Sequence, residues 1–183
     1  KKKKYNVIVV SSAMSGVTND LIKKSKELCQ NFPDTEYDVL VSSGEQVACS
    51  LIAGRLINDG FEARSWLAWQ IPILTNGPNK NSRIHQINKN KILQYLKKGG
   101  TPIITGFQGI NIDERITTVG RGGSDASAIM IAKFFKALRC IIYTDVEGVY
   151  TTDPNKLDEA KKIKVISYEE MLEMASLGAK VMQ

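Results

Sequence analysis

Six consecutive residues, Gly120-Arg121-Gly122-Gly123-Ser124-Asp125, combine types that can hold and orient a small anion. Glycines let a backbone approach a ligand closely. The run that follows, Ala126 to Ala137, is strongly helical in composition. The start of a helix, with unpaired N–H groups and a positive dipole end, would therefore face the same ligand. Arg121 can grip a carboxylate with two parallel hydrogen bonds. Asp125, at the helix start, can orient a cation or a lysine. The same residues also fit a glycine-rich turn capped by Ser124, and so short a motif does not separate the two.

A second segment bears on that choice. It runs Tyr143-Thr144-Asp145-Val146-Glu147-Gly148-Val149-Tyr150-Thr151-Thr152-Asp153-Pro154-Asn155, after the strand-like Cys140-Ile141-Ile142. A polar Thr-Asp pair at a strand's carboxyl end stands where open α/β sheets bind ligands. Asp145 to Gly148 and Asp153 to Asn155 are turn sequences. This loop resembles the adenine-nucleotide loop of aspartate kinases, members of the amino-acid-kinase superfamily. Ile116-Thr117-Thr118-Val119 with the glycine loop resembles their aspartate-binding motif. Val10 to Thr18, Ser42-Ser43-Gly44-Glu45-Gln46, Gly106-Phe107-Gln108-Gly109 and the tail Ser167 to Val181 agree as well. The blocks follow the family order and spacing over nearly the whole chain.

The resemblance implies transfer of the γ-phosphoryl group of ATP, with Mg²⁺, to the side-chain carboxylate of L-aspartate. That is the first step towards lysine, threonine, methionine and diaminopimelate. It places Arg121 on the substrate α-carboxylate, Glu45 on the α-ammonium, and Thr18, Gly122, Gly123 and Ser124 around the substrate. Asp125 would orient a catalytic lysine or the metal, and Ser12 would stand beside the phosphate. Thr144, Asp145, Tyr150, Thr151, Thr152, Asp153, Pro154, Asn155 and Lys180 would meet the nucleotide. A carboxylate acceptor is already ionised at neutral pH and needs no general base. Alignment and neutralisation of phosphate charge carry such a reaction.

The resemblance also implies a three-layer αβα sandwich around a mostly parallel sheet, in one catalytic domain over residues 1–183. Family members begin with a strand and a Lys-Phe-Gly-Gly-Thr-Ser loop, and continue into ACT domains. Neither is in this sequence, which therefore resembles the middle of a catalytic domain and is expected to be nearly inactive alone. A non-catalytic nucleotide-binding fragment, or a related kinase for another amino acid, are the competing readings. A dinucleotide-binding oxidoreductase fits less well, because Asp125 stands where that fingerprint needs glycine.

Composition sets outer bounds. The chain has 183 residues, 43% hydrophobic and 24% charged, ordinary values for a globular domain. Lys1 to Lys4 supply four of the six net positive charges, leaving +2 for the rest. No basic helix or aromatic stacking platform accompanies them, so nucleic acid is not the expected partner. No apolar run is long enough for a membrane span, and no signal core is present. Cys29, Cys49 and Cys140 are widely spaced, as expected of reduced thiols in a cytoplasmic protein. His85 is the single histidine and stands in a polar run. Neither a Ser-His-Asp triad nor a histidine-rich metal site is therefore expected. ATP and L-aspartate are the expected partners, with homo-oligomers expected for the full-length protein.

The elements that must position these residues follow from periodicity. Tyr5–Val10, Val39–Val41, Phe61–Ala68, Pro102–Thr105 and Arg139–Tyr143 read as strands. Thr18–Cys29, Glu45–Asp59 and Asn88–Lys98 read as helices. In the second of these, Val47, Ala48, Leu51, Ile52 and Leu56 would face inward, Glu45 would favour the first turn, and Gly60 would end it. Residues 72–82 read as a loop, and 110–116 as a hairpin around Asp113-Glu114. Ser124 would cap the helix after the glycine loop, and Ser167-x-x-Glu170 is a capping box opening the last helix.

Overall fold

Short β-branched runs in this chain become strands where they find a partner. The computed structural model describes residues 5–120, 122–144, 148–152 and 157–176. It divides into two compact units, 1–140 and 141–183. In the first unit β1 (Val9–Ser11) and β2 (Ala63–Trp66) flank β5 (Thr101–Thr105) in a parallel three-stranded sheet of order β1-β5-β2. All five residues of β5 are buried. Parallel strands need both faces covered and a crossover between them. Helix α2 (Asp34–Asn58) covers one face; α3 (Asn90–Lys97) and α4 (Gly123–Phe135) cover the other.

Side-chain alternation on β5 divides the core accordingly. Ile103 packs with Cys49, Ala53 and Ala63 on the α2 side. Ile104 packs on the opposite side with Trp66, Ile92, Leu96 and Ile131. Both isoleucines are fully buried, and each such burial stabilises by roughly 1.5–3 kcal/mol. The expected α/β layering, with helices on both faces of a parallel sheet, is therefore present.

A second sheet has order β4-β3-β6-β7, built from β3 (Ile73–Asn76), β4 (Arg83–Ile87), β6 (Gln108–Ile110) and β7 (Ile116–Thr118). Its β3–β6 pairing is parallel and the other two are antiparallel. The β6–β7 hairpin is the one expected around Asp113-Glu114. β3 falls where a loop was expected, and β4 falls just after it, where no element was expected. Their apolar positions, Ile73, Ile84 and Ile87, are separated by polar residues and by a register shift at Leu74/Thr75, which breaks the alternation.

Helix α1 (Val17–Leu28) matches expectation within a residue at each end. The expected strand Val39–Val41 is instead part of α2, and Glu45 lies mid-helix rather than in a first turn. Ser42, Ser43 and Ser50 donate to the carbonyls three residues back, at 2.7–2.9 Å. Their hydroxyls are thus satisfied inside the helix. Tertiary bonds from Asp38 and Glu45 hold the same stretch. Context therefore overrides the β propensity of Val39 and Val41. The inward face also differs: Val41, Ala48, Cys49 and Ala53 are buried, while Val47 and Leu51 are exposed. The helix ends as expected, with Gly60 N–H donating to Ile57 O and Phe61 N–H to Leu56 O.

Helix α4 begins at Gly123 with Gly122 as its N-cap and no side-chain cap bond, so Ser124 lies inside the first turn and does not cap it. Arg139–Tyr143 joins no strand ladder among the described residues. A short apolar run becomes a strand only when another strand receives it, and Ile141 and Tyr143 are exposed. In the second unit Tyr150 bridges Lys162. There α5 (Tyr168–Ser176) opens with the expected capping box, Glu170 N–H to Ser167 Oγ at 3.1 Å and Ser167 N–H to Glu170 Oε2 at 2.8 Å. No helix among the described residues is long and apolar enough to cross a membrane. Cys29 and Cys140 are exposed, Cys49 is buried, and none of them is in a disulfide.

Truncation of Ile103 to Ala should destabilise the protein by about 2–5 kcal/mol, the usual range for emptying a buried aliphatic site. Ile112→Ala, at a hairpin position 95% exposed, should change stability by less than about 0.5 kcal/mol. Urea denaturation of both variants checks the assignment, and equal losses would contradict it.

Candidate active site

The register of the parallel sheet pairs Ser11 with Thr105, so β1 and β5 end side by side. Gly106 N–H then donates to Ser11 O at 2.9 Å. A Cβ on Gly106 would lie 3.0 Å from both Ser11 O and Ser124 Cβ. The start of α4 is thus seated directly on the turn after β5, in a contact tighter than a side chain ordinarily makes.

Phe107 ties the same structures together. It adopts φ 63°, a left-handed conformation unfavourable for a bulky residue. Its N–H donates to Ser127 Oγ at 3.0 Å, and Ser127 Oγ donates to Gly123 O at 2.7 Å. Its carbonyl accepts the Val119 N–H at 3.0 Å. Its ring lies over Gly123, where a Cβ would come within 2.4 Å of Phe107 Cδ2. Phe107 therefore sets both the entry and the exit of the glycine loop. Neither Phe107 nor Ser127 received a role from sequence; positive φ and a bond to a helix residue twenty positions away become visible only on folding.

Helix α2 contributes Glu45 from below. The residue is 3% exposed. Its Oε1 accepts the Ala13 N–H at 3.3 Å, in the loop after β1. Its Oε2 has no hydrogen-bond partner among the described residues. Burial pushes the carboxyl up to about 7, against the opposing effect of the Glu45 and Ala13 N–H groups. Gln108 is also fully buried. It donates from Nε2 to Ser42 O at 3.0 Å, and its Oε1 has no partner among the described residues. Buried acceptors without a donor from the protein are rare. A ligand ammonium would supply donors, whereas a ligand anion would not.

The remaining sequence-derived residues divide as follows. Ser12 is exposed on the loop after β1, whose preceding Ser11 Oγ donates to Ser12 O. Thr18 lies in the first turn of α1, half-buried. Gly122, Gly123, Ser124 and Asp125 occupy the cap and first turn of α4, so unpaired helix N–H groups cluster there. Glu45, Ser12, Gly106, Phe107 and the start of α4 are therefore brought around the ends of β1 and β5. Thr144, Tyr150, Thr151 and Thr152 belong to the second unit. Within it Lys161 N–H donates to Thr151 Oγ1 at 3.0 Å. Arg121, Asp145, Asp153, Pro154, Asn155 and Lys180 lie outside the described residues.

Two parallel strand ends and a helix N-terminus are chemically suited to an anion, and a buried carboxylate with one unpartnered oxygen is suited to a cation. The amino acid kinase family model matches residues 1–183, and the chain belongs to the amino acid kinase family. It is 50% identical over 183 residues to an aspartokinase of Rickettsia conorii, a match covering 98% of this chain and 46% of that one. The chain thus spans about half the length of the curated relatives it matches. Escherichia coli aspartokinase III, solved with aspartate and ADP, superposes with a TM-score of 0.84 at 27% identity, covering 97% of this chain and 51% of that chain. The aspartate kinase of Synechocystis superposes with a TM-score of 0.80 at 39% identity, covering 97% and 29%.

Glu45 yields a pH prediction. A carboxyl raised from 4.5 to about 7 on folding holds more protons folded than unfolded between those values. Its contribution to stability is therefore full below the unfolded value and is lost as pH rises through the folded one. Glu45→Gln keeps the shape of the neutral acid. Melting curves of wild type and variant should nearly coincide close to pH 5. By pH 8 the variant should be the more stable, by about 3 kcal/mol. Parallel curves across this range would mean that Glu45 is solvated.

Proposed function

We propose that the full-length protein is an aspartate kinase, with residues 1–183 in its catalytic domain. The observation that carries this reading is the buried Glu45 carboxylate with an unpartnered oxygen, beneath strand ends that also receive the start of α4. An amino acid offers the complementary pair, an ammonium for the first and a carboxylate for the second. The ADP and aspartate in the related Escherichia coli structure support the same pairing of substrates.

In this reading Glu45 holds the α-ammonium of L-aspartate. Arg121 and the N–H groups of Gly122 to Ser124 hold its α-carboxylate, and Thr18 lines the substrate. The free side-chain carboxylate oxygen attacks the γ-phosphorus of ATP. The bond from that phosphorus to the β,γ-bridging oxygen breaks, giving ADP and 4-phospho-L-aspartate without proton transfer. Ser12 stands beside the phosphate. Thr144, Asp145, Tyr150, Thr151, Thr152, Asp153, Pro154, Asn155 and Lys180 receive the nucleotide.

Mg²⁺ keeps most of its ligands as water and phosphate oxygen. A single protein carboxylate in the first turn of α4, Asp125, suits it, and the ion would neutralise charge on the phosphates. The protein would act in the cytoplasm as a homo-oligomer, at the head of amino-acid biosynthesis leading to lysine, threonine, methionine and diaminopimelate.

A coupled ADP-release assay of the full-length protein over an amino-acid panel tests the substrate. L-Aspartate should be turned over fastest; faster turnover of glutamate or acetylglutamate would overturn the proposal. Arg121→Lys keeps the charge and loses the two-pronged geometry. It should weaken aspartate recognition by roughly 1–3 kcal/mol and leave the KM for ATP nearly unchanged. An unaltered aspartate KM would remove Arg121 from the substrate.

The pH dependence has a definite sign. Below about 7 Glu45 becomes neutral and no longer attracts the ammonium, so the aspartate KM should rise as pH falls from 8 to 5. In Glu45→Gln the KM should be high throughout and flat with pH. A wild-type KM that does not change over this range would place the ammonium elsewhere.

A further inference from the structure

The segment Asn79-Lys80-Asn81 connects β3 to β4 and carries no part of the motifs that define the site. The fold nevertheless lays it against the first residue of the glycine loop. A Cβ on Gly120 would lie 2.9 Å from Asn81 Oδ1 and 3.3 Å from Lys80 O. What fixes this turn is Asp38, fully buried in the second turn of α2. Asp38 Oδ2 accepts from Asn79 Nδ2 at 2.7 Å, and both carboxylate oxygens accept the Lys80 N–H at 3.1 Å. Asp38 Oδ1 also accepts from Thr118 Oγ1 at 2.7 Å. One carboxylate therefore joins the turn to the last residue of β7, two positions before Gly120.

The neighbouring bonds close the same assembly. Ser82 N–H donates to Thr118 O at 2.9 Å, and Ser82 Oγ donates to Pro78 O at 2.8 Å. Lys80, at φ 64°, pairs its ammonium with Asp34 and holds it 4.4 Å from the centre of the Tyr37 ring. Hydrogen bonds to an ionised carboxylate are the strong kind. Without it, the Asn79 amide, Lys80 N–H and Thr118 hydroxyl would each lose an acceptor.

We infer that Asp38 is a positioning residue for the substrate loop: through Asn79, Lys80 and Thr118 it sets where Gly120 sits, and hence how Gly122, Gly123 and Ser124 meet the substrate carboxylate. The inference rests on the aspartate-kinase reading for its kinetic consequence, though not for its structural one. Asp38 touches no reacting atom. Helix α2 then serves the substrate twice, with Glu45 acting directly and Asp38, two turns earlier, acting through the loop.

The test uses the full-length protein and two readouts, steady-state kinetics and amide hydrogen exchange of residues 118–124. Asp38→Asn turns one acceptor oxygen into a donor facing Asn79. It should raise the aspartate KM about tenfold, because small misplacements of positioning groups have large kinetic effects. The ATP KM should stay within about twofold, and exchange in 118–124 should quicken about tenfold relative to β5. Asn79→Asp added to Asp38→Asn restores a donor facing an acceptor with the polarity reversed, and should recover most of both changes.

Quickened exchange with a raised aspartate KM, both reversed by the second substitution, supports the inference. It is overturned if Asp38→Asn lowers the melting temperature while the aspartate KM and the 118–124 exchange stay put. It is equally overturned if the double variant regains stability without regaining the KM. Should Asp38→Asn fail to fold, Asn79→Ala removes one donor and leaves the carboxylate. An aspartate KM raised about threefold would support the inference and an unchanged one would overturn it. If the wild type does not phosphorylate aspartate, the functional reading fails separately, and the exchange data alone decide whether Asp38 holds the loop.

Discussion

The parallel pairing of β1 with β5 is the constraint on which the site depends. Parallel neighbours must end at the same edge of the sheet, so Ser11 and Thr105 finish side by side. Whatever follows each strand is delivered to one place. The loop after β1 leads into α1, and the turn after β5 leads into Phe107 and the β6–β7 hairpin. The hairpin returns the chain to the same edge, and the glycine loop opens α4 against Gly106. Segments about a hundred residues apart in sequence meet because one strand register requires it.

Helix α2 supplies what the strand ends lack. Its middle is buried against the parallel sheet through Cys49 and Ala53, and this burial is what removes Glu45 from water. A carboxylate there is unfavourable to the empty protein and favourable once an ammonium joins it. Stability and the proposed recognition therefore pull in opposite directions at one residue. The first turns of the same helix show another use of carboxylates. Asp34 and Glu36 reach exposed cations, Lys80 and Arg115, of the kind that adds little stability. Asp38 accepts only from uncharged donors and is fully buried. Geometry and burial separate the two kinds of interaction.

Much of this was legible in the sequence because it is local. The helix from Val17 to Leu28, the stop at Gly60, the Asp113-Glu114 hairpin and the Ser167–Glu170 capping box each depend on residues a few positions apart. The glycine loop leading into a helix was legible in the same way, whereas Glu45 was singled out by the family resemblance and not by its local spacing. Position along the chain decides such features before tertiary contacts form.

Tertiary structure decided the rest, because those choices turn on partners far away in sequence. Val39–Val41 has strand-forming residues, yet it is helical where Asp38, Ser42 and Glu45 find their partners. Which side of α2 faces inward followed from the sheet it met, so Cys49 and Ala53 are buried and Leu51 is exposed. Residues 73–76 became a strand once Arg83–Ile87 and Gln108–Ile110 lay alongside them. Gly122, rather than Ser124, caps α4 because Phe107 and Ser127 hold the entry to that helix. The sequence by itself determined where local turns and helix ends fall; only folding decided which distant residues meet, since a hydrogen bond from Thr118 to Asp38 spans eighty residues and leaves no local periodicity to read.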